Sequence, residues 1–408
     1  MKFITVKEAA QKWGVTTRRV QDLCKQGRIP GAQRWERSWM LPEQAVYPAH
    51  KSAAQGPYNL PMPRKSPFLD MTDLYHTPGT AEQCIAALQN QPEAQMLFAA
   101  EIAYHRGEID LVYEHAQTIL SSYSGFYSVI AGGMLLALCA MWRGDIQLWN
   151  QAKMHICAAP CNSREDQEIL ALSLAAVGLR ILDTRGFPEW FMRGSFTALP
   201  ADAHPSAKVY YIQYLLYCAH EIALDKIVLD GVSGLGSMRT MPYILEPFIT
   251  QAIVDKTVMV ELFLRLQCAC AYQRSGDMAR ATYHMDRAIA LALPDRLLGP
   301  LVEHRRQLGY LLDDRLNLVS PETLRQIKAL EKQQHQGWVK LHNHVLQKNV
   351  SGTLSVRERE VARLAAFGLS DAQIAEQLML SKATVKSLIS MAKNKTGAQK
   401  RAELAIYI

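Results

Sequence analysis

Apolar residues recur at helical spacing between residues 71 and 330. Within this region, segments 129–142 and 169–179 are apolar on almost every side and end at Arg143 and Arg180. Neither reaches the roughly 18 residues that a membrane-spanning helix needs. The pattern therefore predicts a mainly α protein whose most apolar helices are buried, with no transmembrane span.

Three stretches of this region, residues 100–120, 137–156 and 269–292, share one form. In each, a glycine and an acidic residue separate an apolar helix from an amphipathic one. The pairs are Gly107-Glu108, Gly144-Asp145 and Gly276-Asp277, and Gly186 would mark a further copy. A period of about 40–45 residues is typical of helix pairs stacked into a solenoid. The turn spacing and small residues resemble the degenerate tetratricopeptide-type (TPR-like) repeats of MalT-like transcription activators, which implies a sensor or interaction domain.

Two breaks interrupt the helical pattern. Five prolines lie within residues 48–67, as expected of a semi-extended linker. A polar stretch near the other end closes at Ser351-Gly352. We therefore predict five parts: an N-terminal unit (1–47), a linker (48–70), a helical-repeat domain (71–330), a connector (331–352) and a C-terminal unit (353–408).

The N-terminal unit has the spacing of a helix-turn-helix over residues 5–26. Ala10 lets two helices touch, Gly14 permits a tight turn, and Val20 fixes the second helix on the first. Residues 27–42 predict a short β-hairpin, a wing that Pro42 ends. The order resembles the small winged helix-turn-helix of the MerR/excisionase type. That resemblance implies DNA contacts from the second helix and the wing, at Thr16, Thr17, Arg18, Arg19, Gln21, Arg34 and Arg37.

The C-terminal unit carries the most specific motif of the chain, over residues 354–404. Ser355 and Glu358 have the spacing of a capping box at the start of a helix. Ser381 and Thr384 occupy the start of a third helix. The ordered features that carry the resemblance are Leu354-Ser355, Arg357–Val361, Gly368–Ser370, Ile374-Ala375, Leu378, Ser381, Thr384–Lys386, Gly397 and Arg401–Leu404. They resemble the LuxR-type (GerE-type) four-helix DNA-binding domain.

This resemblance makes the third helix the recognition helix, placed in the major groove. It implies groove contacts at Lys386, Ser387 and Ser390. Phosphate contacts are expected at Lys382, Thr384, Lys393 and Lys395. DNA-binding domains of this type usually work as dimers on paired half-sites. The expected partners are therefore double-stranded DNA and a second copy of the chain, and RNA polymerase is a candidate partner.

The charge distribution agrees with basic ends that attract phosphate. The net charge is +7, yet residues 1–65 hold twelve Lys or Arg against four Asp or Glu, and residues 351–408 hold nine against five. The centre is therefore acidic. Basic ends favour nucleic acid, and two merely solvated surfaces are the alternative. The 49% hydrophobic content excludes a mainly disordered chain.

No set of residues in the sequence indicates catalysis. A phosphate-binding loop with its lysine is missing, and the glycines of residues 231–240 read as a loop between helices. His155, Cys157 and Cys161 come nearest to a metal cluster, but no second pair stands at a usual zinc spacing. We expect reduced cysteines, no metal, no cofactor and no enzyme activity. The charged N-terminal residues do not resemble a signal peptide, so we expect a cytoplasmic protein.

A tyrosine stripe is the one candidate for an effector groove. Tyr210, Tyr214 and Tyr217 follow one another at helical spacing. They could line a concave face that binds a small molecule or peptide, but core packing between helices is the favoured interpretation.

Together these features predict a bacterial, sequence-specific transcriptional regulator in which a TPR-like helical solenoid, sensing an effector or partner, is flanked by two small helix-turn-helix domains. The alternative is a non-enzymatic helical-repeat scaffold whose basic ends only tether it to nucleic acid or proteins.

Overall fold

The computed structural model divides the chain into two units, residues 1–59 and residues 60–408. The structure describes residues 3–13, 16–25, 29, 31–35, 38–43, 45, 74–218, 228–229, 232–233, 241–348 and 354–406. The predicted linker up to residue 70 lies outside these residues.

The smaller unit combines two helices with a three-stranded antiparallel sheet of order β1-β3-β2. Its elements are β1 (Phe3–Thr5), α1 (Val6–Trp13), α2 (Thr17–Lys25), β2 (Gln33–Trp35) and β3 (Ser38–Pro42). Trp35 pairs with Ser38 across the hairpin, which confirms the predicted hairpin and its end at Pro42. Strand β1 was not predicted, because three residues are too few to show an alternating pattern. Ala9, Val20 and Leu41 are fully buried in the core between the helices and the sheet.

The larger unit is built almost entirely of helices. They are α3 (Ala81–Ala87), α4 (Pro92–Arg106), α5 (Ile109–Ser122), α6 (Phe126–Arg143), α7 (Ile146–Cys157), α8 (Arg164–Arg180), α9 (Glu189–Met192), α10 (His204–Tyr217), α11 (Met241–Asp255), α12 (Val258–Ser275), α13 (Met278–Ala292), α14 (Leu298–Leu308), α15 (Tyr310–Val319), α16 (Pro321–Leu346), α17 (Val356–Ala366), α18 (Asp371–Gln377) and α19 (Lys382–Thr396). Two short strands, β4 (Val228–Leu229) and β5 (Val232–Ser233), pair antiparallel, and β5 lies within residues 231–240, where we expected only a loop.

The predicted glycine turns end helices α4, α6 and α12. Gly107, Gly144 and Gly276 adopt left-handed backbone conformations, with φ of +79°, +62° and +87°. Glycine is the residue that adopts this conformation at no steric cost. Asp145 then caps α7, and Asp277 caps α13. The three helix pairs α4–α5, α6–α7 and α12–α13 therefore follow from the glycine-acidic pattern.

Gly186 does not begin a further pair of this form. It has a positive φ of +77°, but the helix that follows, α9, spans four residues only. The chain between α8 and α10 instead packs aromatic rings, among them Phe187, Phe191 and Phe196, edge to face.

Helix α6 is the most apolar element of the described chain. Among the described residues it is the one helix with the length and composition of a membrane span, and 89% of it is buried inside the structure. Gly132 and Gly133 lie at its middle, where α5 and α7 pack against it. Its apolar surface is therefore used by neighbouring helices.

The predicted connector is largely a helix. Residues 331–346 continue α16 without a break, and Gly337 and Leu341 are buried in the core. A side chain at Gly337 would collide with the carbonyl oxygens of Met141 and Trp142, so α16 lies directly against the end of α6. Most of the polar residues that suggested a connector are exposed or half-buried on the outer side of α16. Glu331 and His342 are buried with Gly337 and Leu341, so the inner side keeps helical spacing.

The last three helices have an apolar core of their own. Val361 of α17, Ile374 of α18 and Val385 of α19 are fully buried in it. Trp338 of α16 packs against both this core and the larger one. A short 3₁₀ helix, Ala402–Ile406, closes the chain and buries Leu404 in the same small core.

Candidate nucleic-acid interface

Each helix of the C-terminal three-helix unit begins at a serine cap. The Ser355 side chain accepts a hydrogen bond from the Glu358 amide (3.2 Å), and the Ser355 amide donates to the Glu358 carboxylate (2.7 Å). This confirms the predicted capping box. Ser370 and Gln373 form a second one, which the sequence analysis missed although the spacing is the same. The caps fix where α17 and α18 begin.

Helix α19 begins at Ser381. Its hydroxyl accepts a hydrogen bond from the Thr384 amide at 3.0 Å, and the two side-chain oxygens lie 2.8 Å apart. The turn before it holds Met379, which has a φ of +52° and is 95% exposed. Helix α18, this turn and α19 thus form a helix-turn-helix, and the Ser381 cap sets where its second helix begins.

One side of α19 is buried and the opposite side faces solvent. The buried residues are Val385, Ile389, Ala392 and Thr396. The exposed residues Ala383, Lys386, Ser387, Ser390, Met391 and Asn394 form a continuous stripe, because they are spaced three and four apart. We call these six residues the reading stripe. It contains all three predicted groove residues.

The predicted phosphate contacts flank this stripe. Lys382 and Thr384 are exposed at the start of the helix, whereas Lys393 and Lys395 are half-buried near its end. The Lys395 ammonium lies 2.7 Å from the Glu358 carboxylate, whose pKa it lowers. Lys395 therefore also ties α19 to α17.

The charge on α19 has one sign. Its fifteen residues include four lysines and no carboxylate. Asn394 belongs to the reading stripe but was not predicted. Its position four residues after Ser390 could have identified it, since amide side chains suit base edges.

The family comparison agrees with this geometry. Residues 352–408 match the model of the family described as bacterial regulatory proteins, luxR family (GerE). This segment is a LuxR-type (GerE) helix-turn-helix domain. No curated protein and no solved structure matches the chain. The GerE domain indicates a DNA-binding transcriptional regulator.

The GerE domain rests on the helical core through α17. The Arg363 guanidinium lies over the Tyr310 ring at 5.9 Å, and the Arg274 guanidinium of α12 lies over the Phe367 ring at 5.3 Å. Burial lowers the pKa of Arg363. Gly309 leaves room for this arginine, because a side chain there would meet its guanidinium. The reading stripe stays exposed in this arrangement.

In the N-terminal unit, Thr16, Thr17, Arg18 and Gln21 are exposed on and just before α2. Arg19 lies within α2, but its side chain is outside the description. Arg34 is exposed on β2 beside Trp35, which is 71% exposed, and Arg37 lies outside the described residues. Thr17, Arg18 and Gln21 are therefore exposed on one helix, in which Val20 is buried.

Tyr210 and Tyr214 do not line an open groove. They are 1% and 4% exposed and belong to the main core, whereas the Tyr217 side chain lies outside the description. Tyr214 packs against Phe187 and Phe191. For these two tyrosines, the burial agrees with the packing interpretation.

Proposed function

We propose that the protein is a sequence-specific regulator of transcription whose GerE domain places α19 in the major groove of DNA. The observation that carries this proposal is the reading stripe: an exposed face on a capped helix with four lysines and no carboxylate. A major groove about 12 Å wide admits one α-helix, and phosphates attract a helix of this charge.

Roles within the stripe follow from side-chain chemistry. Lys386 is long enough to donate to guanine O6 or N7, while Ser387 and Ser390 can donate to or accept from either kind of base edge. Lys382 and Lys393 flank the stripe and would pair with phosphates, with Thr384 donating its hydroxyl. Lys395 would have to share its ammonium between a phosphate and Glu358.

The test is selection of bound fragments from a random double-stranded DNA pool, using the full chain at about 150 mM salt, where nonspecific binding is screened. We expect one or two enriched motifs. Lys386→Glu should then weaken binding to the selected site by about 10- to 100-fold, because one base contact is worth about 1–3 kcal/mol.

The matched control is Lys332→Glu, which makes the same charge change at an exposed site on α16. We expect it to alter affinity by no more than about twofold, since a distant exposed charge is screened by salt. Equal losses from both variants would mean that only overall charge matters. That result, or a pool without enrichment, would favour the tethering scaffold.

We further propose that the N-terminal unit is a second, MerR-like DNA reader, with contacts from α2 at Arg18, Arg19 and Gln21 and from the hairpin at Arg34 and Arg37. The exposed face of α2 supports this. Arg18→Glu in the full chain should remove one of two enriched motifs and leave the one that Lys386→Glu removes. Loss of both motifs, or of neither, would contradict two independent readers.

The remaining roles follow from architecture. The helical core would act as a MalT-like repeat domain that senses an effector or partner, and the chain would bind DNA as a homodimer without enzyme activity. Sedimentation of the protein–DNA complex tests the dimer: two chains per duplex support it, and one chain per duplex contradicts it.

A further inference from the structure

Helices α11, α12 and α13 bring a carboxylate, a thiol and an imidazole together. The donor atoms of Glu246, Cys268 and His284 all lie within 4.8 Å of one another. His284 Nε2 and Glu246 Oε1 lie 3.1 Å apart. We propose that these three side chains bind a zinc ion, with water as the fourth ligand.

The ligand set and its spacing fit zinc. Zinc accepts sulfur, nitrogen and carboxylate oxygen, and sites with three protein ligands leave the fourth position to water. Tetrahedral ligands about 2.0–2.3 Å from the metal lie roughly 3.3–3.7 Å apart. The observed separations therefore need side-chain shifts of about 1 Å or less. The Glu246 side chain is 42% exposed, which gives the ion a path from solvent.

Cys268 points to a ligand independently of the other two residues. Its side chain is fully buried, and the described part of the chain offers its thiol no hydrogen-bond partner. A metal ion would stabilise the thiolate form of this cysteine directly.

The Tyr272 side chain contacts two of the three proposed ligands. The Tyr272 ring stacks on the His284 ring at 5.5 Å with an interplanar angle of 19°, and the Tyr272 hydroxyl donates to Glu246 Oε1 at 3.0 Å. One tyrosine thus orients two of the three ligands, as outer groups do around metal sites.

The proton and charge balance closes without another reactant. Arg265 Nη1 faces His284 Nδ1 at 3.5 Å, so without metal Nδ1 accepts and Nε2 carries the ring proton towards Glu246. Zinc at Nε2 would require the ring proton on Nδ1 and loss of the Cys268 proton to solvent. The Arg265 guanidinium, ion-paired with Glu261 at 2.6 Å, would then have to turn away from Nδ1, because both groups would be donors. The dipositive ion, the thiolate and the Glu246 carboxylate sum to zero charge.

This site differs from the cluster that the sequence suggested. His155, Cys157 and Cys161 are exposed, and the described residues do not bring their donor atoms together as a metal group. Exposed thiols can still bind zinc weakly. The test therefore uses full-length protein with Cys157→Ser and Cys161→Ser as its background.

The probe is cobalt(II), added to metal-free protein and then displaced by zinc. We expect one equivalent to give a tetrahedral visible spectrum with a thiolate-to-cobalt charge-transfer band, and zinc to release one proton per chain near neutral pH. Cys268→Ser should abolish the band and weaken zinc binding by more than about 100-fold, since loss of outer groups alone costs 10- to 100-fold.

Cys270→Ser is the matched control, because Cys270 is buried two residues along the same helix. It should keep the spectrum and the affinity. A charge-transfer band that survives Cys268→Ser, or the absence of any band from the wild-type chain, would overturn the proposal. If Cys268→Ser does not fold, zinc-dependent hydrogen-exchange protection of α11–α13 in the wild-type chain decides: protection supports the site, and unchanged exchange refutes it.

Discussion

Replacing Gly133 by alanine tests the close packing of α6. In an isolated helix, glycine to alanine would stabilise by about 1 kcal/mol. Here a Cβ atom at Gly133 would lie 2.6 Å from Ile156 Cγ1 and 3.2 Å from both the Ala152 carbonyl oxygen and the Ile156 amide nitrogen of α7. Carbon atoms pack best about 3.5–4.0 Å apart, so α7 would have to move outward by about 1 Å.

The structure sets the expected magnitude. Overpacking of a filled core costs about 1–3 kcal/mol, and contact with two backbone atoms of α7 places Gly133 at the upper end. After the gain in helix propensity, we expect Gly133→Ala to destabilise the protein by about 2 kcal/mol. Gly132→Ala is the control, because its new Cβ would meet only side chains, Leu120 at 2.9 Å and Ile119 at 3.2 Å. The partly buried Leu120 can rotate, so we expect a change near zero.

The assay is urea unfolding of both variants, followed by helical circular dichroism. If the unfolding midpoint of Gly133→Ala equals or exceeds that of the wild type, helix propensity outweighs packing and the argument from close approach fails. If the two variants lose the same stability, backbone contact is not the cause.

Three further perturbations give measurable outcomes. Burial lowers the pKa of His105 to about 4. Below pH 6.5 the imidazole is therefore protonated in the unfolded chain but stays neutral in the folded chain until the pH nears 4. Unfolding free energy should fall by about 3 kcal/mol between pH 6.5 and 4, and His105→Gln should flatten that part of a urea-midpoint profile. Arg180→Met removes the ion-pair partner of the buried Glu303 carboxylate, at 2.5 Å, and should lower the unfolding free energy by about 3–5 kcal/mol, measured by calorimetry. The double variant Arg180→Met with Glu303→Leu should recover most of this loss, because no unpaired charge is then buried. Ser355→Ala should speed hydrogen exchange in α17 and lower the stability of that helix by about 1 kcal/mol. Unchanged exchange would show that the cap does not stabilise the helix.

Local chemistry made several elements predictable. The turns at Gly107, Gly144 and Gly276 were found because glycine adopts the left-handed conformation readily and an acidic residue follows each one. The helix-turn-helix of the GerE domain was found because its ordered motif resembles that of a known family, with Ser355 and Ser381 at the starts of two helices. The turns and the caps depend on interactions that span four residues or fewer, so a single sequence shows them.

Long-range packing explains what the sequence did not show. The polar residues at 331–346 obscured the helical pattern in the sequence. The buried side of this helix is defined by its contact with α6, nearly two hundred residues earlier. Tyr210 and Tyr214 form the same stripe whether they line a groove or a core, and only the aromatic segment before them decides. The Glu246, Cys268 and His284 group draws one ligand from each of three helices, so it has no spacing to detect.

The contact between α17 and the helical core has a mechanical consequence. Two guanidinium–ring contacts of about 0.5–1 kcal/mol each and the packing of Trp338 connect the two cores, so this connection is weak enough to shift under a modest load. The contacts come from α12, α15 and α16, so a tilt of one of these helices would change the direction of α19. The angle at which the reading stripe meets a duplex would then report the state of helices that never touch DNA.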